Sequence, residues 1–203
     1  EAKKTLNLKS NDFVVLLFGY ITWYKGSDIF IKAARLLAGQ KNIKLILAGG
    51  QSHNQKHKKH YQKWYQKTIS SVSSTPNLTH TSFVSEDQIP IYYSAADLVV
   101  FPYRTFMATS GPLSICLSQN KPFILSKKLL PYLKSPDIHT SLGDPKFSKN
   151  LFFDTNPRSL ATAIKNLSHK KSLLNHLKSI SARISKKRDP KVLGTKQRHI
   201  IFT

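Results

Sequence analysis

A lysine and a glycine, Lys25 and Gly26, stand between an apolar run and a stretch with the apolar spacing of a helix. In an α/β protein such a junction brings free backbone N–H groups and a helix N-terminus together, and this combination binds anions such as phosphate. A lysine at the junction adds a point charge over the bound anion. The pattern therefore predicts a phosphate contact by Lys25, and the alternative is a solvated lysine beside a glycine that starts a helix.

Other residue types that support catalysis are scarce or badly placed. Glu1 and Glu86 are the two glutamates of the chain and its aspartates are scattered singly, so a carboxylate pair for general acid and base catalysis is hard to assemble. The spacing of His53, His57 and His60 places them on one face of a predicted helix, but the lysines between them would repel a metal ion. We therefore assign no catalytic residue, and we expect neither a metal nor a resident cofactor.

The charge of the chain favours acidic partners. Lysine and arginine number 32 against 10 acidic residues, which gives a formal net charge of +22. Phosphorylated substrates, nucleic acid and anionic membrane surfaces all fit such a field. No RNA-recognition, helix-turn-helix or zinc-finger pattern accompanies the charge, and this argues against nucleic acid as the partner.

A basic and aromatic helix is predicted over about residues 55–72. Its aromatic residues Tyr61, Trp64 and Tyr65 have the spacing of one face, with lysines on the other. The stripe suits packing on the sheet, insertion of the rings at the headgroups of an anionic membrane, or contact with nucleic acid. Packing on the sheet is the interpretation we favour.

Apolar runs and helical patterns alternate along the chain in the manner of a Rossmann-like, doubly wound parallel sheet. The runs interpreted as strands cover residues 13–18, 43–48, 78–83, 97–101, 121–126 and 151–154. Helical patterns cover residues 27–38, 55–72, 86–95 and 111–119, with a helical tail from residue 157, and Ser27 is interpreted as an N-cap. Strands separated by such helices pair in parallel through right-handed crossovers.

Length and composition are those of one globular domain. Cys116 is the only cysteine, so an internal disulfide is excluded and a reducing compartment is favoured. We find no apolar run of about 18 residues and no signal peptide. Because the chain begins with Glu1, we expect it to be part of a longer protein.

Over about residues 10–170 the chain resembles the C-terminal, nucleotide-sugar-binding domain of retaining GT-B glycosyltransferases of the glycosyl transferases group 1 type. The resemblance rests on four segments in the family's order: "LFGYITWYKGSDIFIKAARLL", "KLILAGG", "SFVSEDQIPIYYSAADLVVFPY" and "TSGPLSICLSQNKPFI". It implies one half of a GT-B fold with a helical C-terminal tail.

In that family a glycine ends the first strand, a basic residue follows it, and a Lys-Gly pair comes soon after, so that two cations clamp the donor diphosphate. This chain keeps Gly19, Lys25 and Gly26, but Tyr20 stands where the family has arginine. The resemblance therefore implies a donor site with one cation from this loop. We expect Arg104 to supply the second charge.

The family also has two glutamates, one facing the donor sugar and one gripping the ribose hydroxyls. Their positions fall at Met107 and Ile115, and neither side chain has an oxygen that could accept a hydrogen bond from a hydroxyl. The spacing from Gly111 to Pro122 is similar to that of a family variant that lacks these glutamates and opens its helix with Ser-Gly.

The resemblance to that variant implies donor contacts at the start of a helix. The residues concerned are Thr109, Ser110, Gly111, Pro112 and Leu113. An ordinary capped helix without a ligand is the alternative. Backbone groups beside Phe83 and Val84 are expected, again by resemblance, to hold the nucleotide base.

The resemblance implies the donor-binding half of a glycosyltransferase of the hexosyltransferase type, which uses a UDP- or GDP-linked sugar. The acceptor site would lie in an N-terminal domain, so the isolated chain should bind the donor without turnover. The alternative is an inactive GT-B-like module that serves as a membrane or protein adaptor.

Two further expectations concern the ends of the chain and its location. Residues 1–185 are interpreted as the donor-binding domain, and residues 186–203 as a segment that crosses back to the N-terminal domain. We expect a cytoplasmic protein, with peripheral attachment to the inner face of the membrane as an option.

Overall fold

A computed structural model of the chain describes residues 1–143 and 149–189. Its centre is a parallel sheet of six strands in the order β3-β2-β1-β4-β5-β6. The strands are β1 (Phe13–Phe18), β2 (Ile43–Ala48), β3 (Leu78–His80), β4 (Leu98–Phe101), β5 (Phe123–Ser126) and β6 (Phe152–Phe153). The predicted doubly wound parallel sheet is thus confirmed.

Helices cover both faces of the sheet. They are α1 (Ala2–Thr5), α2 (Ser27–Leu36), α3 (Lys59–Ser70), α4 (Ile89–Ala95), α5 (Gly111–Ser118), α6 (Pro136–His139), α7 (Pro157–Ser168) and α8 (Lys171–Lys187). Short 3-10 helices lie at Glu86–Gln88, Lys127–Lys134 and Lys149–Leu151. Helix α2 packs against α7, and α5 packs against α8.

The core consists of the continuous apolar runs of the central strands. Residues Val14, Val15 and Leu16 of β1 are fully buried, as are Val99 and Val100 of β4. Strands covered on both faces have this composition because neither face meets water. The chain adds β2 and β3 on one side of β1 and then returns to place β4 on the other side, so the order reverses between β1 and β4.

Several predicted boundaries differ from the observed ones, and three of them have an identifiable cause. The helix expected from residue 55 begins at Lys59, because turns hydrogen-bonded to Ser52 and Gln55 precede it. Strand β3 ends at His80, and Ser82 follows with a positive φ of 58°. The N-cap of α2 is Gly26 rather than Ser27, with a left-handed φ of 73° that a glycine adopts without strain.

One packing prediction is confirmed, and Asp97 has a structural role. The side chain of Asp97 accepts hydrogen bonds from the Val14 backbone N–H and the Lys3 ammonium, both at 2.8 Å. The aromatic stripe of α3 faces the sheet: Tyr61 is buried, and Trp64 and Tyr65 pack against the core. The rings are therefore not available as a membrane-inserting face.

The tail is helical as predicted. Helix α8 continues to Lys187, so the expected boundary at residues 185/186 falls inside a helix, and most of the segment 186–203 lies outside the described residues. None of the helices in the described ranges combines the length and apolar character that crossing a bilayer requires.

Candidate functional site

A cleft of about 310 Å³ opens at the carboxyl edge of the sheet, beside the reversal between β1 and β4. Ligands of doubly wound proteins bind at this location. Loops after β1, β2 and β3 and the start of α5 form its wall. The lining residues are Phe18, Gly19, Tyr20, Lys25, Gly49, Gly50, Phe83, Val84, Glu86, Ile89 and Pro112.

Lys25 is the cation of this cleft and is 8% exposed. Burial lowers the pKa of its ammonium from 10.5 to about 8. Within residues 1–143 and 149–189 no group forms a hydrogen bond or an ion pair with it, and the ammonium lies over the Tyr20 ring, with Nζ 5.9 Å from the ring centroid. A buried cation without an anion is costly, so the ammonium can gain from an anionic ligand.

Two glycines make room for this arrangement. A Cβ at Gly19 would lie 2.6 Å from the Nζ of Lys25, and the φ of Gly19 is +115°. A Cβ at Gly49 would lie 2.2 Å from the carbonyl oxygen of Gly19. The ends of β1 and β2 therefore form a floor of bare backbone beneath the ammonium.

Rings border the open side of the cleft. Tyr20 contacts His53 edge to face, with ring centroids 5.6 Å apart, and His53 contacts Phe83 at 6.4 Å. Phe83 is 64% exposed. These three side chains join the loops after β1, β2 and β3 in one apolar rim.

Arg104 does not join Lys25. Its guanidinium donates two hydrogen bonds of 2.8 Å to the carboxylate of Asp28 and lies over the Trp23 ring, 4.8 Å from the centroid. The structure therefore does not place Arg104 as a second cation of the cleft. It fastens the loop after β4 to the first turn of α2.

The segment 109–113 is divided between two cavities. Pro112 lines the cleft of Lys25, whereas Thr109, Ser110 and Leu113 line a neighbouring cavity of about 240 Å³. The Ser110 hydroxyl caps α5 by accepting a hydrogen bond from the Leu113 N–H and also pairs with the Tyr103 hydroxyl. Space beside Gly111 is open, since no atom lies within 4 Å of the position of a Cβ there.

The positions of the two family glutamates lie apart from the cleft of Lys25. Ile115 is partly buried against the core, and the Met107 carbonyl accepts a hydrogen bond from the Tyr132 hydroxyl. Glu86 is the carboxylate among the residues that line the cleft, and the sequence interpretation did not assign it a role. The usable signal was its position at the start of a predicted helix that follows a predicted strand.

The cleft thus combines an ammonium, which attracts phosphate oxygens, with a carboxylate, which accepts hydrogen bonds from hydroxyl groups. Gly49 and Gly50 were also absent from the predicted site, although a Gly-Gly pair that ends a strand signals close approach of the backbone. Within the described part of the chain no three His, Cys, Asp or Glu side chains gather closely enough to hold a metal ion.

Solved structures share this fold over nearly the whole chain. Sucrose-phosphate synthase from Thermosynechococcus elongatus matches with a TM-score of 0.71 and 18% identity, over 99% of this chain and 48% of that one. Anabaena Alr3699/HepE in complex with UDP matches with a TM-score of 0.72 and 19% identity, over 98% and 50%. The chain therefore spans about half the length of these proteins.

A third structure is a domain of similar size. The C-terminal domain of LpcC, a glycosyl transferase group 1 family protein from Francisella tularensis, matches with a TM-score of 0.67 and 16% identity, over 92% of this chain and 90% of that domain. No curated protein sequence matches the chain at a significant level. Residues 1–127, more than half of the chain, match the family model for glycosyl transferases group 1, and the chain therefore belongs to the glycosyl transferases group 1 family.

Proposed function

We propose that the chain is the donor-binding half of a retaining glycosyltransferase that moves a sugar from a nucleoside diphosphate sugar to an acceptor. The observation that carries the proposal is the Lys25 ammonium, which is buried in the cleft at the carboxyl edge without an anionic partner among the described residues. A diphosphate supplies the missing anion.

The glycine floor supports the same ligand. Because Gly19 and Gly49 carry no side chain, the phosphates can approach the backbone at the ends of β1 and β2. Glu86 lies in the same cleft and would accept hydrogen bonds from ribose or sugar hydroxyls, the task that the absent family glutamates perform. UDP is the ligand in one Anabaena structure and UDP-glucose in another, so a UDP-linked sugar is the first donor to test, with GDP second.

The acceptor and much of the catalytic machinery would lie in a second domain, since the chain spans about half of the related structures. We therefore expect the isolated chain to bind the donor without transferring the sugar. Catalytic residues are not assigned. Transfer with retention at the anomeric carbon and a hexose as the transferred group rest on the family resemblance.

An inactive adaptor is the second candidate, favoured by Met107 and Ile115 at the positions of the family glutamates. Its partner surface would be the outer face of α3, where Lys59, Lys63 and Lys67 are exposed. Such a face suits the anionic inner surface of a membrane in the cytoplasm. An adaptor of this kind does not require a nucleotide.

Calorimetric titration of UDP and GDP into the wild type, Lys25→Ala and Lys32→Ala tests the proposal. Lys32 is an exposed lysine of α2 and serves as the matched control. We expect Lys25→Ala to lose about 1.5–3 kcal/mol of binding free energy, the range for a charge-assisted hydrogen bond. Lys32→Ala should bind as the wild type does.

A wild type that binds neither nucleotide would reject the donor site and leave the adaptor. Equal affinity in the wild type and Lys25→Ala would show that the ammonium does not touch the diphosphate. Thermal unfolding gives a second measurement, since a ligand at about 100 times its dissociation constant stabilises the fold by about 2.7 kcal/mol.

A further inference from the structure

A second cavity lies at the amino edge of the sheet, on the opposite side from the cleft of Lys25. It encloses about 360 Å³ where β1, β4 and β5 begin. Three of the residues that line it are lysines, namely Lys121, Lys171 and Lys178. Its volume falls within the range of small-ligand sites, about 300–1,000 Å³.

Helix α8 contributes two of these lysines from one face. Lys171 and Lys178 are separated by two turns, and Leu174 and Asn175 lie between them on the cavity wall. Both lysines are exposed, and in the described ranges neither forms an ion pair. Their ammonium groups are therefore free to turn toward a ligand.

The third lysine, Lys121, is held in place by hydrogen bonds to the backbone. Lys121 donates hydrogen bonds to the carbonyl oxygens of Ser94 and Ala96, at 2.9 and 3.1 Å. Burial lowers the pKa of Lys121; the Asp97 carboxylate opposes that shift, and the positive charges of Lys178 and Lys3 add to it. Lys121 thus lies close enough to Lys178 to feel its charge, and an anion between the two would relieve the repulsion.

The carboxylate of this cavity is already engaged. Asp97 accepts hydrogen bonds from the Val14 N–H and the Lys3 ammonium through the same oxygen, Oδ2. Lys3 is therefore its ion-pair partner, and Asp97 does not form an ion pair with Lys121, Lys171 or Lys178 in the described structure. The cavity retains a positive excess.

The start of α8 adds to that excess. The helix has 17 residues, its N-cap Lys170 makes no side-chain capping bond, and its first turn contains no acidic residue. The positive end of the helix dipole therefore lacks a negative group of its own. Amides of Gln119, Asn120 and Asn175 supply further hydrogen-bond donors around the cavity.

We propose that this amino-edge cavity binds a small, multiply charged anion of the diphosphate or polyphosphate class. Three lysines, amide donors and a helix N-terminus match such a ligand, which spreads several negative charges over a few ångströms. The cavity lies on the far side of the sheet from Lys25, so the proposal does not depend on the donor site.

Calorimetric titration of inorganic pyrophosphate into the full chain at fixed ionic strength tests it. All variants carry Lys25→Ala, so that the cleft at the carboxyl edge does not contribute. The test variant is Lys171→Gln with Lys178→Gln, and the control is Lys165→Gln with Lys186→Gln. The control removes the same number of charges from two other exposed helical lysines.

We expect the test variant to bind pyrophosphate at least about tenfold more weakly, since each lost charge-assisted hydrogen bond removes about that factor. The control should change affinity by less than about twofold, because distant charges are screened. Equal weakening in both variants would show attraction by net charge alone and would overturn the proposal. So would the absence of binding to the Lys25→Ala protein. Circular dichroism of all variants confirms that they are folded.

Discussion

At the carboxyl edge of the sheet one ammonium, that of Lys25, is buried in a cleft floored by glycine, whereas at the amino edge Lys171 and Lys178 are exposed around a wider cavity. The first arrangement places a single charge at a defined position and dehydrates it. The second supplies several charges that water still surrounds. A dehydrated charge interacts more strongly with a ligand than a hydrated one does. We therefore expect the carboxyl edge to bind its ligand with high selectivity and the amino edge to bind small anions with lower selectivity.

Each edge also contains a cation that serves the fold. Arg104 pairs with Asp28 at the carboxyl edge, and Lys3 pairs with Asp97 at the amino edge. Both join segments far apart in sequence. Positive charge alone therefore does not identify a ligand contact in a chain with a net charge of +22; the absence of a carboxylate partner is the better guide.

The largest expected effect is that of Gly19→Ala. The new methyl group would overlap the Lys25 ammonium, and alanine is strained at a φ of +115°. We expect the free energy of unfolding to fall by about 2–3 kcal/mol, mostly from backbone strain because the end of the lysine side chain can move aside, and UDP binding to be lost. Gly39→Ala is the control, since no atom lies within 4 Å of a Cβ there. Urea unfolding measures the stability of both variants, and equal stability of Gly19→Ala and Gly39→Ala would contradict this prediction.

A smaller effect is expected from removing the buried charge. Lys25→Met keeps the aliphatic part of the side chain and relieves the desolvation of an ammonium whose pKa falls from 10.5 to about 8. That shift corresponds to about 3 kcal/mol, and loss of the contact with the Tyr20 ring offsets about 1 kcal/mol of it. We therefore expect Lys25→Met to raise the free energy of unfolding by about 2 kcal/mol at pH 7.

The pH dependence gives the sharper form of this prediction. The unfolded chain holds the Lys25 proton up to higher pH than the folded one does, so the wild type recovers stability between pH 8 and 10.5. The advantage of Lys25→Met should be complete below pH 8 and vanish near pH 10.5. Lys178→Met, at the exposed edge, should change stability by less than about 0.5 kcal/mol throughout. If thermal unfolding showed the same pH dependence of stability for Lys25→Met and Lys178→Met, the buried charge of Lys25 would not carry the predicted cost.

The smallest expected effect is that of the paired cations. Arg104→Gln removes a half-buried ion pair and a ring contact, which together stabilise the fold by about 1 kcal/mol. UDP affinity should change by less than about twofold, since the Arg104 guanidinium is already paired with Asp28. Lys3→Gln, which removes the ion pair with Asp97, is the corresponding variant at the amino edge. If Arg104→Gln weakens UDP binding as much as Lys25→Ala does, Arg104 leaves Asp28 to bind the ligand.

The fold was predictable because its determinants are local. The continuous apolar run of β1 was assigned with its observed limits, Phe13–Phe18, and "IKLILAGG" contained β2 and the glycines that follow it. Helix and strand ends were less accurate. Gly26 rather than Ser27 caps α2, because a left-handed φ at a junction depends on the close approach of Pro102, which the local sequence does not contain.

The local sequence pattern predicted the candidate site only on the loop after β1, and the family resemblance added Phe83, Val84 and Pro112, which also line the cleft. Gly19, Tyr20 and Lys25 lie on the loop after β1 and were placed together from sequence. The partner of Arg104 is Asp28, 76 positions away, and this pairing depends on the order of the strands. Glu86 and the lysines of the amino-edge cavity likewise meet their neighbours only through the folded sheet.

The bare floor of the cleft has a consequence for redesigning the proposed donor site. At Gly19 and Gly49 a methyl group would collide with Lys25 or with backbone, so these positions offer no freedom to a protein engineer. Tyr20 and Phe83, by contrast, are 40% and 64% exposed at the rim, and their side chains can be exchanged without disturbing the sheet. A library directed at altered nucleotide or sugar preference should therefore randomise the rim and leave the floor intact.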